Sequence, residues 1–173
     1  PLTIEFLDFQ PTLLPHTQPF AKNLGLLGID AHVRVVDAAQ YQRRSDAFDY
    51  DVLVHRFSMS PTPGEELRLM FGSQSAKTPG SLNMAGVSDP VVDALIEAAL
   101  GADTRSDLVA ACRALDRVLR AGRYWVPMWY KPTHWLAYWD LYDRPPVKPT
   151  YDRGVPATWW YDKAKADRIG WRG

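Results

Sequence analysis

The sequence predicts an α/β fold with a βαβ start, a mixed sheet covered by helices, and an extended aromatic C-terminal tail. Three observations carry that prediction. An apolar, alternating first segment is followed by a helical pattern and then by a β-branched run. Two amphipathic helical stretches occupy the middle of the chain. The tryptophans crowd into positions 125–160, where Tyr and Pro are also frequent, so the chain has two compositional regimes.

In order, residues 2–8 (LTIEFLD) alternate Leu2, Ile4 and Phe6 with Thr3 and Glu5, the period of a half-buried strand. A helix start is expected at Thr17-Gln18-Pro19, since a proline in the first turn lacks only an N–H that would go unpaired there. Phe20, Leu24 and Leu27 follow at helical spacing and Gly28 supplies the stop. Residues 29–37 (IDAHVRVVD) read as the second strand. Strand, short helix and strand make a βαβ unit with a parallel pair. A short helix over 38–47, with Tyr41 facing inward, leads to a third strand over 49–57 (DYDVLVHRF).

The segment SMSPTPGEE (58–66) is a turn that proline bars from a sheet. A weak helix over 65–71 and a long Gly/Ser/Asn loop over 72–88 follow, and long loops in compact domains often carry binding residues. Asp89-Pro90 opens a helix with Val92, Leu95, Ile96 and Ala99 on one face. The next helix has Thr104 as N-cap, Asp107 three residues on, and an apolar stripe of Leu108, Cys112, Leu115 and Leu119, ending at Gly122. Residues 124–130 and 134–139 read as two aromatic strands around Lys131-Pro132. From Asp143 onward little periodicity remains, and Trp159-Trp160 are expected to dock against a surface supplied from elsewhere.

Composition excludes several functions. Twenty Lys and Arg balance twenty Asp and Glu, with no basic cluster, so nothing marks a nucleic-acid or anionic-membrane partner. No apolar run of about 18 residues is present. The N-terminal PLTIEF lacks the basic and apolar regions of a secretion signal, and a chain beginning without Met reads as an excised piece of a longer one. The single Cys112 rules out an internal disulfide and, on an apolar stripe, reads as structural.

Catalytic patterns are missing too: there is no nucleophile elbow, phosphate-binding loop, dinucleotide fingerprint or His-Glu-x-x-His. The four histidines have no metal-ligand spacing, and Glu65-Glu66 reads as a solvated pair at a helix start. The sequence therefore predicts no enzyme, no metal and no cofactor. Trp125, Trp129, Trp135, Trp139, Trp159 and Trp160 are compatible with sugar stacking, and packing is the favoured use.

Five segments, AKNLGLLGIDAHVRVVDAAQYQRR, FDYDVLVHRFSMSPTPGEELR, GSLNMAGVSDPVVDALI, ACRALDRVLRAGRYWVPMWY and ATWWYDKAKA, together resemble the C-terminal lobe of family-5 solute-binding proteins of ABC importers. The likeness is to the dipeptide/oligopeptide type, in its YejA-like branch. It implies a periplasmic-binding-protein-like lobe, with residues 1–144 forming the C-terminal ligand-binding lobe and 145–173 a tail packed on the other lobe. It also implies capture of peptides or peptide-like solutes between two lobes, a membrane permease as partner, and a periplasmic location.

Many relatives carry a Trp and an Asp in the loop after the third strand, the Asp holding the peptide α-amino group. Here Phe57 stands near the Trp position and Ser60 near the Asp position, a departure that leaves cargo to be held by hydroxyls, backbone, Arg56 or Glu65. Candidate ligand contacts are thus Arg56, Phe57, Ser58, Met59, Ser60 and Glu65, with Asn83 and Met84 of the GSLNMAG segment as a second group. Two other readings compete: a carbohydrate-binding module using the tryptophans, and part of an enzyme completed by other domains.

Overall fold

The structure, a computed structural model, describes residues 2–57, 59, 62–130, 132–150 and 154–172. These fall into two compact units, 1–126 and 127–173, so the division by contact comes before the boundary near 144 that the resemblance implies.

The first unit opens with the expected βαβ. Strand β1 (Thr3–Asp8) pairs in parallel along its whole length with β2 (Asp30–Val35), joined by helix α1 (Leu14–Gly25). Helix α2 (Ala38–Asp46) leads to β3 (Val52–Leu53), which pairs with Phe6 and Leu7 on the other side of β1. The order β2-β1-β3 puts the first strand in the centre. Period-two alternation aims Phe6 at α1, where it meets Phe20 edge to face at 5.6 Å. The odd residues face α2, as the Phe9–Tyr41 ring contact at 4.5 Å and the Glu5–Arg44 ion pair at 2.6 Å show.

Three details differ from the sequence reading. Helix α1 starts before Thr17, with Pro15 in its first turn and Pro19 inside it. Pro19 forfeits one bond, to the Pro15 carbonyl, and the helix tolerates that loss so close to its start. Strand β3 is two residues long, because after Leu53 the chain leaves β1 and carries Phe57 onto Phe71 and Trp125. Finally, the three-stranded sheet is parallel throughout, and antiparallel pairing occurs in a separate ribbon.

Helices α3 (Glu66–Phe71), α4 (Pro90–Leu100) and α5 (Arg105–Gly122) build the main core. Leu67, Met70 and Phe71 pack with Val87, Val92, Ile96, Ala99, Leu115 and Leu119, all buried. Both long helices are capped as their sequences predict. The Asp89 carboxylate accepts from the Val91 N–H at 2.8 Å, and the Thr104 hydroxyl accepts from the Asp107 N–H at 3.1 Å. Cys112 packs partly buried against this core, and its burial pushes the thiol pKa up.

In the second unit β4 (Tyr142–Asp143) and β5 (Trp160–Tyr161) form an antiparallel ribbon, followed by α6 (Lys163–Arg168). Trp160 therefore pairs with Asp143, and Trp159 packs against Tyr138 at 4.6 Å. Among its described residues the tail after 143 thus holds a strand and a helix, and Trp159 has a local ring neighbour. The aromatic segments 124–130 and 134–139 form no strand among the described residues, which corrects the sequence reading. With these helices on the page, the carbohydrate-binding module, an all-β design as a rule, loses its support.

Candidate functional site

The sheet topology picks out one end of the first unit. The chain steps from β1 to β2 on one side and then returns to place β3 on the other, so the strand order reverses at β1/β3. In open parallel sheets, ligands bind outside the carboxyl ends of strands at such a reversal. Asp8 ends β1 there, and residues 54–57 run on from the end of β3.

Asp8 is 2% exposed; one carboxylate oxygen accepts from the Gln10 N–H at 2.9 Å, while the other is buried with no hydrogen-bond partner. An acid closing an apolar strand was visible in LTIEFLD, but nothing in that pattern announced its burial. Beyond β3 the Phe57 ring lies 5.0 Å from His55, 5.9 Å from Phe71 and 5.4 Å from Trp125. Phe71 and Trp125 close the group at 5.8 Å. These four rings form an aromatic shelf whose inner side, at Phe71, is core and whose outer side, at Phe57, is 40% exposed. Desolvation lowers the His55 pKa and favours its neutral form. Sequence reasoning singled out Phe57 and Trp125 separately; what joins them is a tertiary contact across about seventy residues, with no local signature.

The remaining predicted residues divide. Arg56 and Met59, close to Phe57 in the sequence, are exposed, Met59 at 42%. Ser58 and Ser60 lie outside the described residues. Glu65 is exposed and held in a bridge: Arg68 donates to Glu65 at 2.6 Å and to Glu97 at 2.7 Å. Both acids, Glu97 most strongly, push the Arg68 pKa far up, and Arg68 in turn holds Glu97 below its usual range.

Asn83 is fully buried. Its amide donates to the carbonyls of Gly72 at 3.0 Å and Val87 at 2.8 Å, and its oxygen accepts from the Val87 N–H at 2.9 Å. Those bonds account for Asn83 as the staple of its own loop. It offers no surface for a ligand here, which corrects the expectation of a contact. Met84 is half-buried, and its carbonyl accepts from the Tyr50 hydroxyl at 2.8 Å. Phe57 thus stands in the ring cluster, Arg56 and Met59 are exposed, and Asn83 has a structural role.

Two concavities lie elsewhere. One, of about 450 Å³, is lined by Glu5, Arg44, Phe48, Asp49, Tyr50 and Asp51, and Arg44 fills its charge balance by pairing with Glu5 and Asp49. The other, in the second unit, has about 260 Å³ among Tyr138, Tyr142, Pro156 and Trp159. Arg144 stacks 5.3 Å from the centre of the Trp159 ring. Among the described residues no three His, Cys, Asp or Glu gather as a metal site, and no helix is long and apolar enough to cross a membrane.

Comparison with known proteins places these features. No family model matches the chain. It is 45% identical over 164 residues to the uncharacterized protein y4wM of Sinorhizobium fredii, covering 95% of this chain and 25% of that protein. It is 42% identical to the probable peptide-binding protein YejA of Agrobacterium fabrum, over 94% of this chain and 26% of the relative. To YejA of Escherichia coli it is 35% identical over 98% of the chain and 28% of the relative. The chain spans about a quarter of the length of the curated relatives it matches.

Among solved structures, the oligopeptide-binding protein AppA of Bacillus subtilis, in complex with a nonapeptide, superposes with a TM-score of 0.67 at 16% identity. It covers 94% of this chain and 32% of AppA. A periplasmic oligopeptide-binding protein of Thermotoga maritima, bound to mannohexaose, gives 0.66 at 15% identity, covering 76% of this chain and 25% of that one. The chain is homologous along almost its whole length to a stretch of the YejA-type binding proteins, and it carries the lobe fold of the family-5 oligopeptide-binding proteins.

Proposed function

We propose that this chain forms one lobe of the substrate-binding component of an ABC importer, and that the whole receptor captures peptide-like solutes between two lobes. The observation that carries the reading is the 42% identity to a probable peptide-binding protein across 94% of this chain, on an oligopeptide-binding fold. The remaining parts of the reading are the C-terminal position of the lobe over 1–144, a tail over 145–173 packed on the other lobe, a membrane permease as partner, and a periplasmic location. Cargo meets Arg56, Phe57, Ser58, Met59, Ser60 and Glu65, with Met84 as a further contact. No reaction follows binding; the receptor holds its cargo and hands it on.

The chemistry supports such a role. Peptides of varied sequence are held by backbone hydrogen bonds and roomy side-chain surfaces. An aromatic shelf beside an exposed guanidinium suits an apolar side chain next to a carboxylate. Because Ser60 stands where an acid holds the amino terminus in relatives, the Arg56 end of the loop takes the larger share of polar anchoring.

Closure between two lobes buries the ligand by hinge motion, so half a cleft binds poorly. Calorimetric titration with a panel of short peptides tests this. The full gene product is expected to bind members of the panel, with Arg56→Ala weakening the affinity, and the 173-residue chain alone to bind only weakly. Tight binding by this chain alone would refute the two-lobe reading. Full-length protein indifferent to every peptide would refute the cargo class.

A further inference from the structure

We propose that Asp8 is a ligand-binding residue, and that the second oxygen of its carboxylate takes a cationic nitrogen of the cargo. The proposal rests on the reading of this chain as a receptor lobe for peptide-like solutes, and it adds to that reading a contact and a charge preference.

Strand β1 carries two acids three residues apart, and the chain treats them differently. Glu5 is flanked by basic groups of its own unit: Arg44 at 2.6 Å, Arg34 at 3.5 Å and His32 at 3.7 Å. Asp8 is only 2% exposed, yet none of the ion pairs among the described residues includes it. One of its oxygens accepts from the Gln10 N–H at 2.9 Å, and the other is buried without a hydrogen-bond partner among those residues. Buried charges in proteins are ordinarily paired, because a carboxylate that loses its hydration regains little without a donor. A cation meets that need best, since charge-assisted bonds are shorter and stronger than neutral ones. This unit supplies one to Glu5 and none to Asp8.

Position indicates where the missing cation comes from. Asp8 closes β1 at its carboxyl end, at the reversal of strand order where ligands of open parallel sheets bind. Leu7 pairs with Leu53, so Asp8 and the segment 54–57 leave the sheet at the same end. That end then offers opposite charges, the Asp8 carboxylate within it and the exposed Arg56 guanidinium. A peptide carries the matching set: an amine or basic side chain, and a carboxylate. Reaching a covered oxygen requires its neighbours to shift, and closure on cargo is the motion that shifts them.

Calorimetric titration of the full gene product is the test. The probes are a short peptide with a free amino terminus and one lysine, its N-acetylated form, and the form with norleucine in place of lysine. Asp8→Asn keeps the shape and the acceptor for the Gln10 N–H but removes the charge; circular dichroism checks that it folds. The parent is expected to lose about 30-fold or more in affinity when one of the two cations is neutralised. Asp8→Asn should start weaker by a similar factor and lose little more with that same peptide. Which neutralisation matters tells an amino terminus from a basic side chain. A parent indifferent to both would overturn the proposal, whatever the variant does. So would an Asp8→Asn protein that binds all three peptides like the parent, or that weakens all three equally, because the carboxylate would then serve the fold. If Asp8→Asn does not fold, Asp8→Glu moves the charge by one methylene, and an unchanged preference there is equally fatal. Binding with no preference for a cation sinks this proposal alone, whereas a full-length protein that binds none of the peptides sinks the cargo reading with it.

Discussion

The two units of this chain hold together by different means. In residues 1–126, three helices enclose a continuous buried cluster running from Leu67 to Leu119. In 127–173 the buried apolar residues among those described are Leu141 and Ala166. Order there comes from a two-residue ribbon, ring contacts around Trp159 and a set of ion pairs on α6. Lys165 lies 3.1 Å from Asp143, Arg168 2.5 Å from Asp140, and Lys163 2.7 Å from Asp167. Apolar burial contributes about 25 cal/mol per Å² and is insensitive to salt, whereas exposed pairs contribute little and are screened. The first unit should therefore set the stability of the chain, with the second loosening independently.

The strongest way to sharpen that contrast is to open a cavity in each unit. Ile96 is 1% exposed in the middle of the helical core. Ile96→Ala should cost about 2–5 kcal/mol in urea unfolding followed by far-ultraviolet circular dichroism, since neighbours collapse only partly into the space. Leu141→Ala should leave that transition in place and shift the tryptophan fluorescence, because every tryptophan but Trp125 lies in 127–173. A single shared transition, lowered equally by both changes, would break the contrast.

Next in size is the loop staple. Asn83→Ala leaves the Val87 N–H and the carbonyls of Gly72 and Val87 without the partners they have now, all in a buried place. The expected cost is about 2–3 kcal/mol in the same urea experiment. If Asn83 served ligand and not loop, the variant would unfold like the parent and lose affinity in the full-length receptor.

Asn83 also shows where sequence stops being legible. Its setting, GSLNMAG, reads as flexible and ligand-facing, because Gly and Asn adopt turns and approach ligands closely. Whether an amide points outward or stitches a loop depends on Gly72, eleven residues away, and no local pattern encodes that. Elements governed by local rules were legible: the Asp89 and Thr104 caps, the stripe on α5, and the alternation in β1. The parallel β1–β2 pair followed from topology. Helix α6 escaped notice because six residues, KAKADR, carry almost no apolar periodicity, and Asp162, whose side chain accepts from the Lys165 N–H at 2.9 Å, is its chief signal. The aromatic segments over 124–139 show the opposite failure: a strong local preference without a strand here to satisfy it. Of the site, Phe57 and its loop were legible as a place on the chain, while the shelf with Phe71 and Trp125 was not.

A smaller effect is expected at the α5 cap. Thr104→Ala removes the hydroxyl that accepts from the Asp107 N–H, at a cost of about 1 kcal/mol. Thr104→Asn should restore most of it, which separates capping from packing at this exposed position.

The smallest expected effect probes the electrostatic side of the comparison. Lys165, and after it the Arg144 N–H, hold the Asp143 carboxyl below its ordinary value of 3.8. A carboxyl with a lowered folded-state pKa favours folding in its ionised form. That contribution is complete above the unfolded value and disappears as pH falls through the folded one. Tryptophan fluorescence of the second unit should thus report a small loss of thermal stability between pH 5 and about pH 3. Lys165→Met should flatten the dependence, and about 1 M salt should mute it. Circular dichroism of the helical core should register neither change. If it moved in step with the fluorescence, the ion pairs of α6 would be supporting the first unit as well, and the independence of the two regions would have to be given up.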